Sequence, residues 1–175
     1  MAVTFLLGGA RSGKSTMAMR LAAAHEGPVA VIATAEARDE DMARRIAEHR
    51  AARPPSWTTI EEPLELAAAV DAVDAKTFVL LDCLTLWVSN ALEAGRPEEQ
   101  LVSEARSLAS TLAARPTPSV VVSNEVGLGI VPLNALARTY RDLLGRVNTA
   151  VAAAADRSFL VVAGRGIALD ALELP

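Results

Sequence analysis

A glycine-rich turn near the start of the chain is the strongest constraint on its fold. Gly8, Gly13, Lys14 and Ser15 fill every fixed position of the pattern G-x-x-x-x-G-K-[ST], directly after the apolar run 3–7. Glycines let the backbone turn its N–H groups inward around an anion, and the helix that follows points its positive dipole end at the same place. The pattern therefore predicts a strand, a phosphate-binding loop and a helix. The alternative is a glycine-rich turn without chemical meaning.

Short apolar runs alternate with segments of helical periodicity along the rest of the chain. The runs lie at 3–7, 29–33, 78–81, 120–122 and 159–162, and the helical segments lie at 14–25, 39–53, 64–73, 84–92, 97–114 and 133–154. Runs that are apolar at every position are typical of parallel strands buried on both faces. We therefore predict an α/β P-loop NTPase fold, with a mostly parallel central sheet covered by helices on both faces. Residues 1–175 are expected to form one domain, and residues 57–63 are a candidate for a further short strand.

Charge and composition exclude several classes of protein. The formal net charge of -4 argues against nucleic-acid binding, which normally needs a basic surface, so any anion site must be local. No apolar run approaches the ~20 residues of a membrane-spanning helix. Cys83 is the single cysteine and cannot form an intrachain disulfide. We expect a cytoplasmic protein that binds neither nucleic acid nor membrane.

Asp82 follows the apolar run 78–81 and is the second candidate for nucleotide chemistry. The carboxyl ends of parallel strands meet at one edge of the sheet, so Asp82 is expected beside the phosphate loop. There it would support Mg²⁺ together with the Ser15 hydroxyl, while Lys14 reaches the β- and γ-phosphates. The alternative is an aspartate that only caps the next helix.

His49 lies in a segment rich in arginine. At ~100° per residue, Met42, Ile46 and His49 fall on one helix face, so the imidazole is expected to point inward with the apolar stripe. A histidine in such a position is most often a packed or hydrogen-bonded core residue. Neutral imidazole is, however, a competent nucleophile toward phosphate esters, and the nearby Arg50 and Arg53 would neutralise phosphate charge. The other interpretation of the arginines is a solvated face balanced by acidic neighbours.

Longer sequence motifs resemble one enzyme family from end to end. They are "GGARSGKS" at 8–15, "IATA" at 32–35, "DEDMARRIAEHRAARP" at 39–54, "LLDCLTLWVSN" at 80–90, "VSNEVGLGIVP" at 122–132, "LARTYRDLLGRVN" at 136–148 and "LVVAG" at 160–164. They are similar to the bifunctional adenosylcobinamide kinase and adenosylcobinamide-phosphate guanylyltransferase of cobalamin biosynthesis. The phosphate loop alone is shared by many enzyme types, whereas the histidine followed by Arg-Pro and the "SNEVGLGIVP" segment are much narrower signals.

The resemblance implies two reactions. In the first, the γ-phosphate of ATP or GTP passes to the hydroxyl of the aminopropanol arm of adenosylcobinamide. In the second, a histidine attacks the α-phosphate of GTP, pyrophosphate leaves, and the GMP then passes to the phosphorylated arm. The family's guanylylated histidine corresponds to His49, four residues before Arg53, whereas His25 matches no motif. His49 must be unprotonated to attack.

The resemblance also implies a set of residues that contact the nucleotide and Mg²⁺. These are Gly8, Gly9, Ala10, Arg11, Ser12, Gly13, Lys14, Ser15, Ala33, Thr34, Ala35, Arg50, Ala51, Ala52, Arg53, Glu61 and Asp82, with Ser15 and Asp82 as metal ligands. Glu125 would position the substrate hydroxyl or a metal, or else cap a turn. Aromatic residues make up only 3% of the chain, which leaves no evident stacking surface for the corrin ring. Family members are trimers, so a neighbouring subunit would supply such a surface.

Two other functions compete with this one. The first is a small-molecule kinase without guanylyl transfer, in which His49 only orients phosphate. The second is a nucleotide-driven switch or motor. The N-K-x-D tetrad that reads guanine in GTP switches is missing, and "SNEV" at 123–126 lacks its lysine and aspartate. Neither competitor predicts a covalent nucleotide. The sequence leaves open whether ATP or GTP feeds the kinase, which corrin form is accepted and whether both activities are retained.

Overall fold

The computed structural model describes residues 2–169, which form seven strands and six helices. The strands are β1 Val3–Leu7, β2 Val29–Ala33, β3 Thr58–Glu61, β4 Phe78–Asp82, β5 Ser119–Val122, β6 Arg157–Val162 and β7 Arg165–Ala168. The helices are α1 Lys14–Ala23, α2 Glu40–Ala51, α3 Leu66–Asp71, α4 Leu84–Glu93, α5 Glu98–Ala114 and α6 Ala135–Ala152.

The strands form one sheet in the order β3-β2-β4-β5-β1-β6-β7. All neighbouring pairs are parallel except β6 and β7, which form an antiparallel hairpin. Strand β5 separates β1, which leads into the glycine-rich loop, from β4, which ends at Asp82. The register pairs Asp82 with Ala33 on one side and with Val122 on the other. The carboxyl ends of β1, β2, β4 and β5 therefore meet at one edge of the sheet.

Two apolar layers cover the sheet, one on each face. Alternate residues of β1 point to opposite layers, with Phe5 in the larger layer and Leu6 in the smaller one. The larger layer also contains residues of α3, α4, α5 and α6, such as the fully buried Trp87, and the smaller layer contains Ala18 and Ala22 of α1. These layers confirm the predicted α/β fold with helices on both faces. Within residues 2–169, no helix is both long enough and apolar enough to cross a membrane.

Most predicted elements are present, most of the helices are shorter than predicted, and one strand is added. The candidate strand at 57–63 is β3, and it ends at Glu61, before Pro63. Helix α6 begins at Ala135, two residues later than predicted, because the side chain of Asn134 caps it by accepting from the N–H of Ala137 at 3.2 Å. Strand β7 was not predicted. Its four residues are all exposed, so it has no apolar run that marks a buried strand.

A buried arginine joins α5 to the segment that precedes β4. The Arg115 guanidinium donates to the carbonyl oxygens of Val70 and Val73 at 3.1 and 3.0 Å, and to those of Asp74 and Thr77 at 2.8 Å each. The residue is only 8% exposed, and burial lowers the pKa of its guanidinium. Its rigid fork of donors satisfies carbonyl groups at and beyond the end of α3 that would otherwise lack partners.

We expect Arg115→Met to destabilise the fold strongly without touching the candidate site. Methionine fills part of the space but leaves four carbonyl groups without donors, which costs about 3 kcal/mol of unfolding free energy. For a domain of this size, that loss lowers the midpoint of thermal unfolding by about 6–12 °C. Arg106→Met on the same helix is the control, because Arg106 is exposed and should lose almost nothing. Equal midpoints for the two variants would contradict the structural role of Arg115.

Candidate nucleotide site

The glycine-rich loop between β1 and α1 has the backbone conformation that its sequence predicts. Gly8 and Gly13 have φ angles of 155° and 100°, and Arg11 has a φ of 56°. A Cβ atom on Gly8 would lie 2.3 Å from the carbonyl oxygen of Val161, so a larger residue would collide with β6. The N–H of Gly164, in the β6–β7 turn, donates to the carbonyl of Ser12 at 2.8 Å. The β6–β7 hairpin therefore packs directly against the glycine-rich loop.

Lys14 is the buried cation of this loop. Its ammonium group donates to the carbonyl oxygens of Gly8 and Gly9 at 2.8 and 2.7 Å, and the residue is 6% exposed. Burial lowers the pKa of Lys14, and the nearby Cys83 and Asp82 partly oppose that shift. The side chain thus lies folded along the loop, with its charge held by two loop carbonyl groups.

Asp82 and His49 face each other across the site. The imidazole Nδ1 of His49 lies 3.7 Å from the Oδ2 of Asp82, and the exposed fractions of the two side chains are 54% and 18%. The interaction with the Asp82 side chain raises the pKa of His49, against the opposing effects of partial burial and of Arg53 and Arg45. Nδ1 is therefore the ring nitrogen on the Asp82 side, and Nε2 is the nitrogen left for another partner.

Helix α2, which carries His49, is held to the rest of the protein loosely. Its N-terminus is capped by the Asp39 side chain, which accepts from the N–H of Met42 at 2.7 Å. No residue of the helix is fully buried. Met42, Ile46 and His49 share one face as predicted, but that face lines the nucleotide cavity instead of the core. The prediction that the histidine points inward holds only in this sense, because His49 lines the cavity and is not buried in the core.

A cavity of about 460 Å³ connects these elements. This volume lies within the usual range for a small-molecule site. The predicted residues that line it are Ala10, Arg11, Ser12, Gly13, Lys14, Ser15, Ala33, Ala35, His49, Arg50, Arg53, Glu61 and Asp82. Two of its basic side chains are bonded to β3: Arg50 lies 3.3 Å from a carboxylate oxygen of Glu61, and Arg53 donates to the hydroxyl of Thr59 at 3.1 Å. The loop, the end of β4 and α2 thus enclose one space.

The other predicted contact residues lie outside the cavity wall. They are Gly8, Gly9, Thr34, Ala51 and Ala52. Thr34 is completely buried, and its hydroxyl donates to the carbonyl of Cys83 at 2.7 Å and accepts from the Cys83 N–H at 2.9 Å. The threonine hydroxyl therefore ties the end of β2 to the residue after Asp82 and does not line the cavity. Ala51 and Ala52 lie at the exposed end of α2.

Several residues of the cavity wall were not predicted. They are Thr16, Met42, Arg45, Ile46, Thr59, Cys83, Thr85, Leu86, Val122 and Asn124. Arg45 lies one turn before His49, so helical spacing could have indicated it. Thr85 and Asn124 follow β4 and β5 by three and two residues, and the rule that ligands bind beyond the carboxyl ends of parallel strands is the signal that could have found them.

Glu125 is directed away from this cavity. Its carboxylate accepts from the N–H of Gly127 within its own turn, and the residue lines a separate groove of about 960 Å³ beside α5 and α6. Glu125 was expected either to position the substrate hydroxyl or a metal, or to cap a turn. The structure contains the turn contact. Beyond it, the segment 126–136 exposes a row of aliphatic side chains, among them Leu128, Ile130 and Leu133 at 82%, 97% and 99%.

The oxygen atoms at the edge of the sheet fit a nucleotide-borne Mg²⁺ ion. Mg²⁺ in such sites takes one or two protein oxygen ligands together with phosphates and water. Ser15 and Asp82 both line the cavity, and the Asp82 carboxylate is still partly exposed. Residues 2–169 contain no cluster of three or more histidine, cysteine or acidic side chains that would hold a metal ion by itself. The donor set therefore suits a metal that arrives with its nucleotide.

The fold and the cavity define a P-loop nucleotide-binding protein. Two solved structures share the fold. One is an ATPase of a type III secretion system, with a TM-score of 0.58 and 13% identity, and the match covers 91% of this chain and 50% of that one. The other is the RadB recombinase, with a TM-score of 0.51 and 16% identity, and the match covers 91% of this chain and 73% of that one. The family model described as cobinamide kinase / cobinamide phosphate guanyltransferase matches residues 4–169. The chain belongs to this family of bifunctional transferases.

Two relatives agree with this assignment. A bifunctional adenosylcobalamin biosynthesis protein of Pseudomonas aeruginosa is 49% identical over 160 residues, covering 91% of this chain and 92% of the relative. A protein of Escherichia coli with the same description is 40% identical over 173 residues, covering 91% and 95%. The family resemblance stated from the motifs is therefore confirmed over nearly the whole chain.

Proposed function

We propose that this enzyme phosphorylates the aminopropanol hydroxyl of adenosylcobinamide with ATP or GTP and then transfers GMP from GTP to the new phosphate through a guanylyl-histidine. The family establishes the two reaction types. The observation that carries the residue-level proposal is that His49 and the glycine-rich loop line the same cavity. One triphosphate site therefore serves both reactions.

In the kinase step, the loop and Lys14 hold the β- and γ-phosphates. The hydroxyl oxygen of the arm forms a bond to the γ-phosphorus, and the bond from that phosphorus to the bridging oxygen breaks, releasing a nucleoside diphosphate. Catalysis of this transfer depends chiefly on positioning and charge stabilisation. The buried ammonium of Lys14 supplies charge, and the N–H groups of the glycine-rich loop would position the phosphates.

In the guanylyl step, His49 is the nucleophile. Its Nε2 forms a bond to the α-phosphorus of GTP, and the bond to pyrophosphate breaks. A phosphate oxygen of the corrin arm then attacks the same phosphorus, and the histidine leaves as imidazole. Asp82 orients the ring through Nδ1, as the 3.7 Å separation supports. Covalent catalysis thus divides one difficult transfer into two easier ones.

The arginines and the acids around His49 have separate roles in this proposal. Arg50 and Arg53 line the cavity on the same helical end as His49 and would neutralise phosphate charge as pyrophosphate leaves. Ser15 and Asp82 would hold Mg²⁺, which neutralises charge on the phosphates when bound. Glu61 is bonded to Arg50 and keeps that guanidinium beside the cavity.

Radiolabelled GTP tests this function directly. The protein is incubated with Mg²⁺ and GTP labelled at the α- or γ-phosphate, without corrin, and then denatured and washed. We expect the α-label to remain on the chain in an acid-labile bond and the γ-label to be lost. Addition of phosphorylated adenosylcobinamide should then discharge the α-label into product. A chain that phosphorylates adenosylcobinamide but never retains the α-label would be a kinase alone.

We also propose that the chain acts in the cytoplasm as a homo-oligomer, a trimer according to the family resemblance. The exposed aliphatic row within 126–136 supports an interface with a second copy, since apolar patches of this kind are usually covered. Light scattering should therefore give a mass near three times the 18.3 kDa of one chain. Ile130→Asp should reduce that mass. A wild-type protein that is monomeric would contradict the proposal.

A further inference from the structure

Asn124 lies at a central point of the sheet edge that the proposed function leaves unassigned. The strand order puts β5 between β1, which leads to Lys14, and β4, which ends at Asp82. A residue just beyond β5 therefore lies between the lysine that holds the phosphates and the acid proposed to support the metal. Asn124 occupies this place and lines the nucleotide cavity.

The backbone of Asn124 is fixed on both sides. Its N–H donates to the hydroxyl of Thr85 at 2.8 Å, and its carbonyl accepts from the side-chain amide of Asn148 at 3.0 Å. The next N–H, that of Glu125, donates to the carbonyl of Gly8 at 3.1 Å, which ties this segment to the phosphate loop. The position of Asn124 relative to the loop is thus set by three hydrogen bonds.

The side-chain amide of Asn124, by contrast, forms no hydrogen bond with any residue between 2 and 169. The amides of Asn90 and Asn148 differ in this respect, because each is bonded to neighbouring groups within the fold. A half-buried amide carries two donors and an acceptor that need partners. A ligand bound in the cavity would offer its phosphate oxygens and hydroxyl groups as these partners.

We propose that Asn124 is a catalytic residue of the kinase reaction, donating through Nδ2 to the γ-phosphate and accepting through Oδ1 from the hydroxyl of the substrate arm. This assignment rests on the proposed function and extends it to a named contact. The amide aligns the hydroxyl oxygen with the γ-phosphorus and takes no proton itself, since the hydroxyl proton passes to water. A bond forms between that oxygen and the γ-phosphorus as the bond to the nucleoside diphosphate breaks.

The neighbouring Glu125 is the competing candidate, because a carboxylate would accept the hydroxyl proton. Its carboxylate is bonded to Gly127 in its own turn, and the residue lines the groove beside α5 and α6. Asn124 is the one of the two that lines the nucleotide cavity. The geometry therefore favours alignment by the amide over base catalysis by the acid.

Separate assays of the two reactions test this role. Asn124→Ala should lower the kcat of adenosylcobinamide phosphorylation by about 100-fold at saturating nucleotide, as is typical when one donor to a reacting group is removed. Asn124→Asp keeps the shape but cannot donate, and it should lose as much. Covalent labelling by α-labelled GTP without corrin involves no transfer of the γ-phosphate, so its rate should change by less than about threefold. Thermal unfolding should be unchanged in both variants.

The controls distinguish the possible failures. Gln100→Glu, an amide-to-acid change on the exposed side of α5, should leave both reactions unchanged. A normal kinase kcat in Asn124→Ala, or an equal loss of both reactions, would overturn the assignment. A larger loss in Glu125→Gln than in Asn124→Asp would transfer the role to the acid. A wild-type protein without kinase turnover would instead contradict the proposed function itself.

Discussion

Replacement of His49 by alanine should reduce covalent labelling by α-labelled GTP to background while leaving kinase turnover largely intact. The reason is chemical: alanine has no nucleophile, and no other residue of the cavity wall carries an imidazole. Kinase turnover should persist because the γ-phosphate is proposed to be held by the glycine-rich loop and Lys14, whose hydrogen bonds do not involve His49. The measurement is label retained on the denatured chain, with adenosylcobinamide phosphorylation assayed in parallel.

His25→Ala is the matched control for this experiment, because the chain contains only two histidines. His25 follows α1, and its ring contacts Phe78 with 5.5 Å between ring centroids. It does not line the nucleotide cavity. Labelling should therefore survive in His25→Ala. Label that persists in His49→Ala, or disappears in His25→Ala, would show that the covalent step belongs to another residue.

The central sheet was predictable because its strands are buried on both faces and are therefore apolar at every position. The run at 78–81 is a clear case, since its side chains alternate between the two apolar layers and all four are buried. Strand β7 has no such run, because it lies at the edge and all of its residues are exposed. Edge pairing depends on the backbone more than on side-chain burial, and so leaves little trace in the sequence.

The candidate site was predictable where function needs a special residue type at a fixed spacing. Gly8, Lys14 and Asp82 are such residues, since few others tolerate a positive φ angle or place a charge at the end of a buried strand. Thr34 was expected to contact the nucleotide but lies outside the cavity wall, and Asn124 lines the cavity but was not singled out, both for the same physical reason. Whether a polar side chain after a strand turns into the cavity or into the fold depends on neighbours that are distant in the sequence. For Thr34, those neighbours are the backbone groups of Cys83.

Replacement of Lys14 by alanine should abolish both reactions, with kinase kcat/KM falling by about 1,000-fold. The ammonium is the one buried cation of the loop, and it is fixed by the carbonyl groups of Gly8 and Gly9, so solvent cannot replace its charge. GTP for the guanylyl step is proposed to occupy the same loop, so labelling of His49 should fall with the kinase. Both assays are run on protein whose thermal unfolding matches that of the wild type.

Lys76→Ala is the control, since Lys76 is the only other lysine of the chain. It precedes β4, at the opposite end of that strand from Asp82, so neither reaction should change in this variant.

The comparison between the two reactions in Lys14→Ala then tests whether both reactions use one phosphate site. If phosphorylation collapses while labelling persists, the GTP that modifies His49 is held outside the loop, and the two reactions use separate sites. If both reactions are lost together, one phosphate-binding loop serves the kinase and the guanylyltransferase. The acceptor beside the loop, the substrate hydroxyl or His49, then determines whether the γ- or the α-phosphorus reacts.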